Sequence, residues 1–176
     1  MYLHYNRNRG HNQLFVSEIR DNIFRGFVVI MSNLQHFVER LSELLIDHEM
    51  KPANLAKELG VGRKMISRYM NGTRYPDLTM ALRMSAYFHC SIDFLLGRTD
   101  TGASFVPLPM PPFSERIEYV LSFYGKTKYR VAKDTSISES TLYNWKFNRS
   151  APTLENIITL ADSLETSVEF ILGREN

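Results

Sequence analysis

The chain of 176 residues repeats itself. Shifted by 76 positions, residues 37–98 lie against 113–174, 62 residues each, without a gap. Identities include Phe37/Phe113, Glu39/Glu115, Arg40/Arg116, Leu45/Leu121, Ala56/Ala132, Lys57/Lys133, Pro76/Pro152 and Leu78/Leu154. Conservative pairs such as Val61/Ile137, Ile66/Leu142 and Tyr69/Trp145 fill the intervals, and the tails SIDFLLGR and SVEFILGR match best. Self-similarity of this extent marks two copies of one unit, so the length divides into two small domains rather than one medium one.

Between the copies stands TDTGASFVPLPMPP, residues 99–112, with four prolines. Proline at this density blocks helix and favours an extended spacer, whose fourteen residues span roughly 46 Å at most. Residues 1–35 have no counterpart and read either as an additional helix or as sequence upstream of a start at Met31. The organisation expected is therefore an extension at 1–35, a domain at 36–98, the spacer, and a second domain at 113–176.

Each copy reads as five short helices. Residues 37, 38, 41, 44 and 45 are apolar at the spacing of one buried helical face. Pro52 suits the first position of a second helix, and Gly60 can end it in the left-handed conformation. Gly62 or Ser138 can cap a third helix, and Asp77 or Thr153 a fourth. A fifth opens on Ser91 or Ser167 and closes on Gly97 or Gly173. No strand pattern is present, so the fold class is all-α.

The stretch LAKELGVGRKMISRYMNG, residues 55–72, breaks one helix and starts another after Gly60, Val61 and Gly62. Leu55, Leu59, Val61, Ile66 and Tyr69 fit a shared buried seam, with Ala56 small enough for the crossing. The opposite face of the third helix carries Arg63, Lys64, Ser67, Arg68 and Asn71. A helix held out at an angle with such a face fits the major groove of duplex DNA. Charge placement agrees. Residues 51–74 hold six Lys/Arg against one acid, while the rest of that copy holds three against six. Residues 127–150 hold five against two, again with an acidic remainder. A basic half on an acidic body suits a phosphate-facing surface.

These residues resemble the phage Cro/repressor-type helix-turn-helix family. Copy one supplies Leu55, Ala56, Gly60, Ile66, Gly72, Pro76, Leu78, Asp93 and Leu95 of its pattern; copy two supplies Val131, Ala132, Ser138, Leu142, Pro152, Leu154 and Glu169. The resemblance implies two tandem five-helix, lambda-repressor-like domains, joined by the proline-rich linker, with the third helix of each in the major groove. It implies Arg63, Lys64 and Arg68 as base readers of copy one, flanked by Ser67 and Asn71, with phosphate contacts at Pro52 and Arg74. In copy two the candidates it implies are Lys128, Glu139, Ser140 and Asn144, with Asn148 and Arg149 in the loop that follows. Glu139 has the chemistry to accept from cytosine, and Asn144 to pair with adenine; Glu139 equally suits its helix N-terminus through the dipole. Copy two departs from the pattern at Ser136, which replaces the turn glycine, and at Tyr143 and Phe147, which look as much like a protein contact.

The function expected is that of a sequence-specific transcriptional regulator, most simply a repressor, bound to a double-stranded operator as a homodimer or as a pseudo-dimer within one chain. The competing reading is a protein-interaction module of antitoxin or antirepressor type, with copy two as the partner surface. No phosphate loop, catalytic-triad spacing or metal set is present, so neither an enzyme nor a cofactor is expected. Asp47, His48 and Glu49 fan around a helix instead of converging. Tyr69 and Trp145 read as core, and Cys90 as a buried small hydrophobe. A single cysteine excludes an internal disulfide. No apolar run reaches the roughly 18 residues of a membrane span, and the location expected is cytoplasmic.

Overall fold

In the computed structural model, residues 33–175 are described. The expectations for the N-terminal extension fall on residues outside that range, apart from its last three. Among the described residues the chain is all-α, with ten helices. Five belong to the first copy: α1 at 33–47, α2 at Pro52–Glu58, α3 at Arg63–Met70, α4 at Leu78–Phe88 and α5 at Ile92–Leu95. Five belong to the second: α6 at Phe113–Phe123, α7 at Lys128–Asp134, α8 at Glu139–Lys146, α9 at Leu154–Ser163 and α10 at Val168–Leu172. Helix α1 is already formed at residue 33, ahead of the expected Phe37.

The helix boundaries follow from their caps. Pro52 occupies the first turn of α2, where its missing N–H costs nothing. Asp77, Ser91, Thr153 and Ser167 each accept a backbone N–H three residues on. The two cores repeat the same aromatic joint between first and third helix. Phe37 meets Tyr69 edge-on at 5.9 Å, and Phe113 meets Trp145 at 5.6 Å. All four rings face inward, with Tyr69 and Trp145 buried as expected. Cys90 is buried too, and burial pushes its thiol up to about 11.

The repeated tails SIDFLLGR and SVEFILGR do more than close each copy. Arg98 and Arg174 donate their backbone N–H to the carbonyls of Asp93 and Glu169, five residues back, while Gly97 and Gly173 take positive φ. This glycine-closed helix end folds the arginine beside the acid. Arg98 Nε lies 2.8 Å from Asp93 Oδ1, and Arg174 Nη1 lies 3.3 Å from Glu169 Oε2.

Each acid then reaches the other copy. Asp93 Oδ2 accepts from the backbone N–H of Val168 at 2.7 Å, and Glu169 Oε1 accepts from the backbone N–H of Ile92. Shifting 92 and 93 by 76 gives 168 and 169, so the two bonds are the same contact made in both directions. Each acid fills the orphan first donor of the opposite helix. The arginines cross as well. Arg98 Nη2 donates to Asp162 of α9 at 2.7 Å, and Arg174 Nη2 donates to the Ser85 hydroxyl of α4 at 3.0 Å. The copies thus meet through α5 and α10 in a seam with approximate two-fold symmetry.

The spacer has no helix, as its prolines require, but it is not a free tether. Ser91 N–H donates to Gly102 O, Phe105 N–H to His89 O, and Leu108 N–H to Arg174 O, at 2.8 to 2.9 Å. It is fastened along the seam at both copies.

Burial, the strongest influence, pushes Glu169 up to about 7, assisted by Asp93 and Glu175 and opposed by Ile92 N–H and Arg174. From the ordinary value of 4.5 up to about 7 the folded chain holds a proton that the unfolded chain has lost. Its stabilising contribution is therefore complete below 4.5 and lost as pH rises through 7. Glu169→Gln keeps an acceptor for Ile92 and cannot ionise. Denaturant titrations should show the stability of the variant, relative to the parent, climbing between pH 4.5 and 7 and level outside that window. A flat difference would mean that Glu169 titrates at its ordinary value.

Candidate nucleic-acid interface

The corner between α2 and α3 is built by backbone hydrogen bonds. Gly60 N–H donates to Lys57 O at 3.0 Å and Val61 N–H to Ala56 O at 2.8 Å, with Gly60 at φ +58°. This paired closure needs a left-handed residue, which glycine adopts without steric cost. The Arg83 guanidinium of α4 donates to Leu59 O, placing a cation on the exposed C-terminus of α2. Ala56 is 1% exposed at the crossing. A larger side chain there would force the two helices apart.

Ile66 and Tyr69 hold α3 to the core, and Arg63, Lys64, Ser67, Arg68 and Asn71 all face solvent. Pro52 and Arg74 are exposed as well. Among the described residues, none of the six cations of 51–74 is paired with a carboxylate. All six are exposed, so among the described residues they can meet an anionic surface without first breaking an ion pair.

Copy two builds its corner differently. Thr135, not a left-handed residue, ends α7 with extended backbone, at φ −132° and ψ 176°. Its hydroxyl donates to Val131 O at 2.7 Å and accepts from Ile137 N–H at 3.1 Å. Ser136 therefore never takes the conformation that glycine would be needed for, and it is absent from the positive-φ residues. Ser138 caps α8 through Thr141 N–H. After α8 the left-handed position held by Gly72 in copy one passes to Asn148, at φ +53°. Asn148 thus has a backbone role, and asparagine tolerates it better than most residues.

The outer face of copy two is also electrostatically different. Glu139, Ser140 and Arg149 are exposed, but Asn144 is half-buried. Lys128 Nζ lies 3.2 Å from Glu118 Oε1, and Lys146 Nζ lies 2.9 Å from Glu118 Oε2. The Lys146 hydrogen bond leads in holding the Glu118 carboxyl below its ordinary value, burial opposes it, and Lys128 adds to the depression. Arg130 pairs with Asp134 at 2.8 Å. Glu118 is a site residue that sequence reasoning missed. It lies 28 positions from Lys146, and its counterpart in copy one is Ser42, so neither local spacing nor the repeat singles it out.

Comparison with known proteins agrees with the two corners. A helix-turn-helix family model matches residues 41–95 and again 124–171, more than half of the chain. The chain belongs to this family, as two tandem domains of Cro/CI type. Membership is consistent with a non-enzymatic protein. A solved structure titled as a transcriptional regulator from Listeria innocua is 31% identical over 55% of this chain and 83% of its own, with a TM-score of 0.33. No curated protein matches. Among the described residues no helix is long and apolar enough to cross a membrane.

Glu118→Gln removes the shared counter-ion of two lysines. Titrations with a random-sequence duplex should then show tighter binding and a steeper decline with salt, each freed lysine that meets a phosphate adding roughly 0.9 to the logarithmic slope. An unchanged slope would mean that Lys128 and Lys146 do not face the duplex.

Proposed function

We propose that the protein is a sequence-specific regulator of transcription that binds double-stranded DNA, most simply a repressor occluding a promoter. Its units, at 36–98 and 113–176 with the spacer 99–112, act as lambda-repressor-like five-helix domains, each laying its third helix in the major groove. The observation that carries this reading is the exposed cationic face of the α2–α3 corner, which meets no carboxylate among the described residues, on a chain of helix-turn-helix family. Arg63, Lys64 and Arg68 read base edges, arginine on guanine being the commonest specific pair. Ser67 and Asn71 flank them on the reading face, and Pro52 and Arg74 contact phosphates.

Members of such folds commonly pair so that two reading helices meet half-sites one turn apart, about 34 Å. The reciprocal Asp93 and Glu169 contacts support a pairing supplied within one chain. Because the two reading faces differ, a lone chain takes an operator with unlike halves. A homodimer joined through copy two would take a palindrome. Copy one contributes the larger share of electrostatic affinity, since the cations of copy two are largely neutralised by their own carboxylates.

The second reading, a protein-interaction module, draws on the exposed Tyr143 and Phe147. It leaves the exposed cations of copy one without an occupant, and DNA binding is the reading preferred.

Binding to an operator duplex should weaken steeply with added salt, as phosphate contacts release counterions. Arg63→Ala should lose about 1–3 kcal/mol of discrimination at a single base pair. Arg74→Ala should lower affinity evenly across sequences and flatten the salt slope by about 0.9. Equal losses from both variants on specific and random duplexes would remove Arg63 from base reading.

A further inference from the structure

The most unusual feature of the copy-two face is apolar. Tyr143 on α8 and Phe147, the residue that caps its C-terminus, are 44% and 49% exposed, with ring centroids 4.5 Å from each other. Their counterparts in copy one are Ser67 and Asn71. The divergence therefore put two rings at positions where the frame itself requires none. They share the outward face with Glu139 and Ser140.

Cations fence this pair. The Arg149 guanidinium lies 5.2 Å from the Tyr143 ring centroid and 5.7 Å from that of Phe147, and Lys146 Nζ lies 5.9 Å from Phe147. An apolar protein surface closing over the rings would have to desolvate Arg149, which pairs with no carboxylate among the described residues, and the edge of the Lys146–Glu118 pair. A duplex offers Arg149 a phosphate instead. Within the major groove the apolar group that base pairs display is the C5-methyl of thymine; the remaining groups on the groove floor are hydrogen-bond donors and acceptors. A ring at the reading face thus has one natural mate there.

We propose that Tyr143, backed by Phe147, is a specificity-determining residue that packs against a thymine methyl in the half-site read by copy two. The inference rests on the reading in which α8 enters the major groove. Copy one would then select its half-site through charge and hydrogen bonds, and copy two through an apolar contact as well.

The test begins with the tightest duplex selected from a pool randomised over about 20 base pairs, two helical turns. Thymines beneath α8 are replaced one at a time by deoxyuridine, which deletes the methyl group alone. One exchange should cost the full-length protein about fourfold in affinity, the worth of one buried methyl. Tyr143→Ala should bind the two duplexes equally, and Tyr143→Phe should keep the discrimination. If the thymine and deoxyuridine duplexes bind equally while hydroxyl-radical footprints still cover both half-sites, the methyl contact is overturned, copy two stays on the DNA, and the rings are assigned to a protein contact. Selection of a covered half-site without thymine overturns it as well. Protection of a single half-site, or selection of no preferred sequence, removes copy two from the groove, and the inference falls with that reading.

Discussion

Two buried carboxylates, exchanged between the copies, hold the molecule in one arrangement. Asp93 and Glu169 are 7% and 1% exposed, and taking such groups out of water is costly unless every oxygen finds a partner. Asp93 meets this condition through Arg98 of its own tail and the Val168 N–H of the other copy, whereas Glu169 accepts from Ile92 N–H but leaves Oε2, 3.3 Å from Arg174 Nη1, without a hydrogen bond, in keeping with its raised pKa. Removing one member would strand the rest, which is why breaking a buried pair costs about 3–5 kcal/mol even where forming it stabilises little. Such a contact discriminates strongly among geometries. It accepts the two-fold arrangement and penalises alternatives in which the acids face solvent-excluded surface unpaired.

Joining both halves covalently changes what that contact must accomplish. Two separate chains would have to overcome the entropy of association. Here the spacer, pinned by three backbone bonds, makes pairing an intramolecular event at high effective concentration. A modest seam then suffices. The linkage also frees the copies to diverge, because neither must be complementary to an identical partner. The frame residues repeat: Phe37 and Phe113, the capping serines 91 and 167, and the closing glycines 97 and 173. The outer residues of the third helices do not. Arg63, Lys64 and Ser67 face Glu139, Ser140 and Tyr143 across the alignment.

Much of this was readable from residues alone. Capping serines and threonines, closing glycines and apolar spacing are local, so the helices and the Gly60 corner came close to their observed bounds. The outward face of α3 was readable for the same reason: helical period alone separates Arg63, Lys64 and Arg68 from Ile66 and Tyr69. The seam was not. Asp93 and Glu169 look like ordinary first-turn acids that favour a helix dipole, and nothing near them in sequence tells of a donor 75 or 77 positions away. Proline content likewise reports the spacer's φ angles but not what its free N–H groups bond to. Lys128 and Asn144 were matched by position as DNA-facing, yet Lys128 is tied to Glu118 and Asn144 is half-buried. The Ser136 turn differed because a threonine hydroxyl, one residue earlier, replaced the glycine solution.

The central claim is that one chain forms a complete two-helix reader. Sedimentation equilibrium of the protein on its selected duplex measures this directly. The account predicts one 20.4 kDa chain per duplex, with both half-sites occupied. Two chains per duplex at every protein concentration would contradict it, since each would then be contributing only one of its copies.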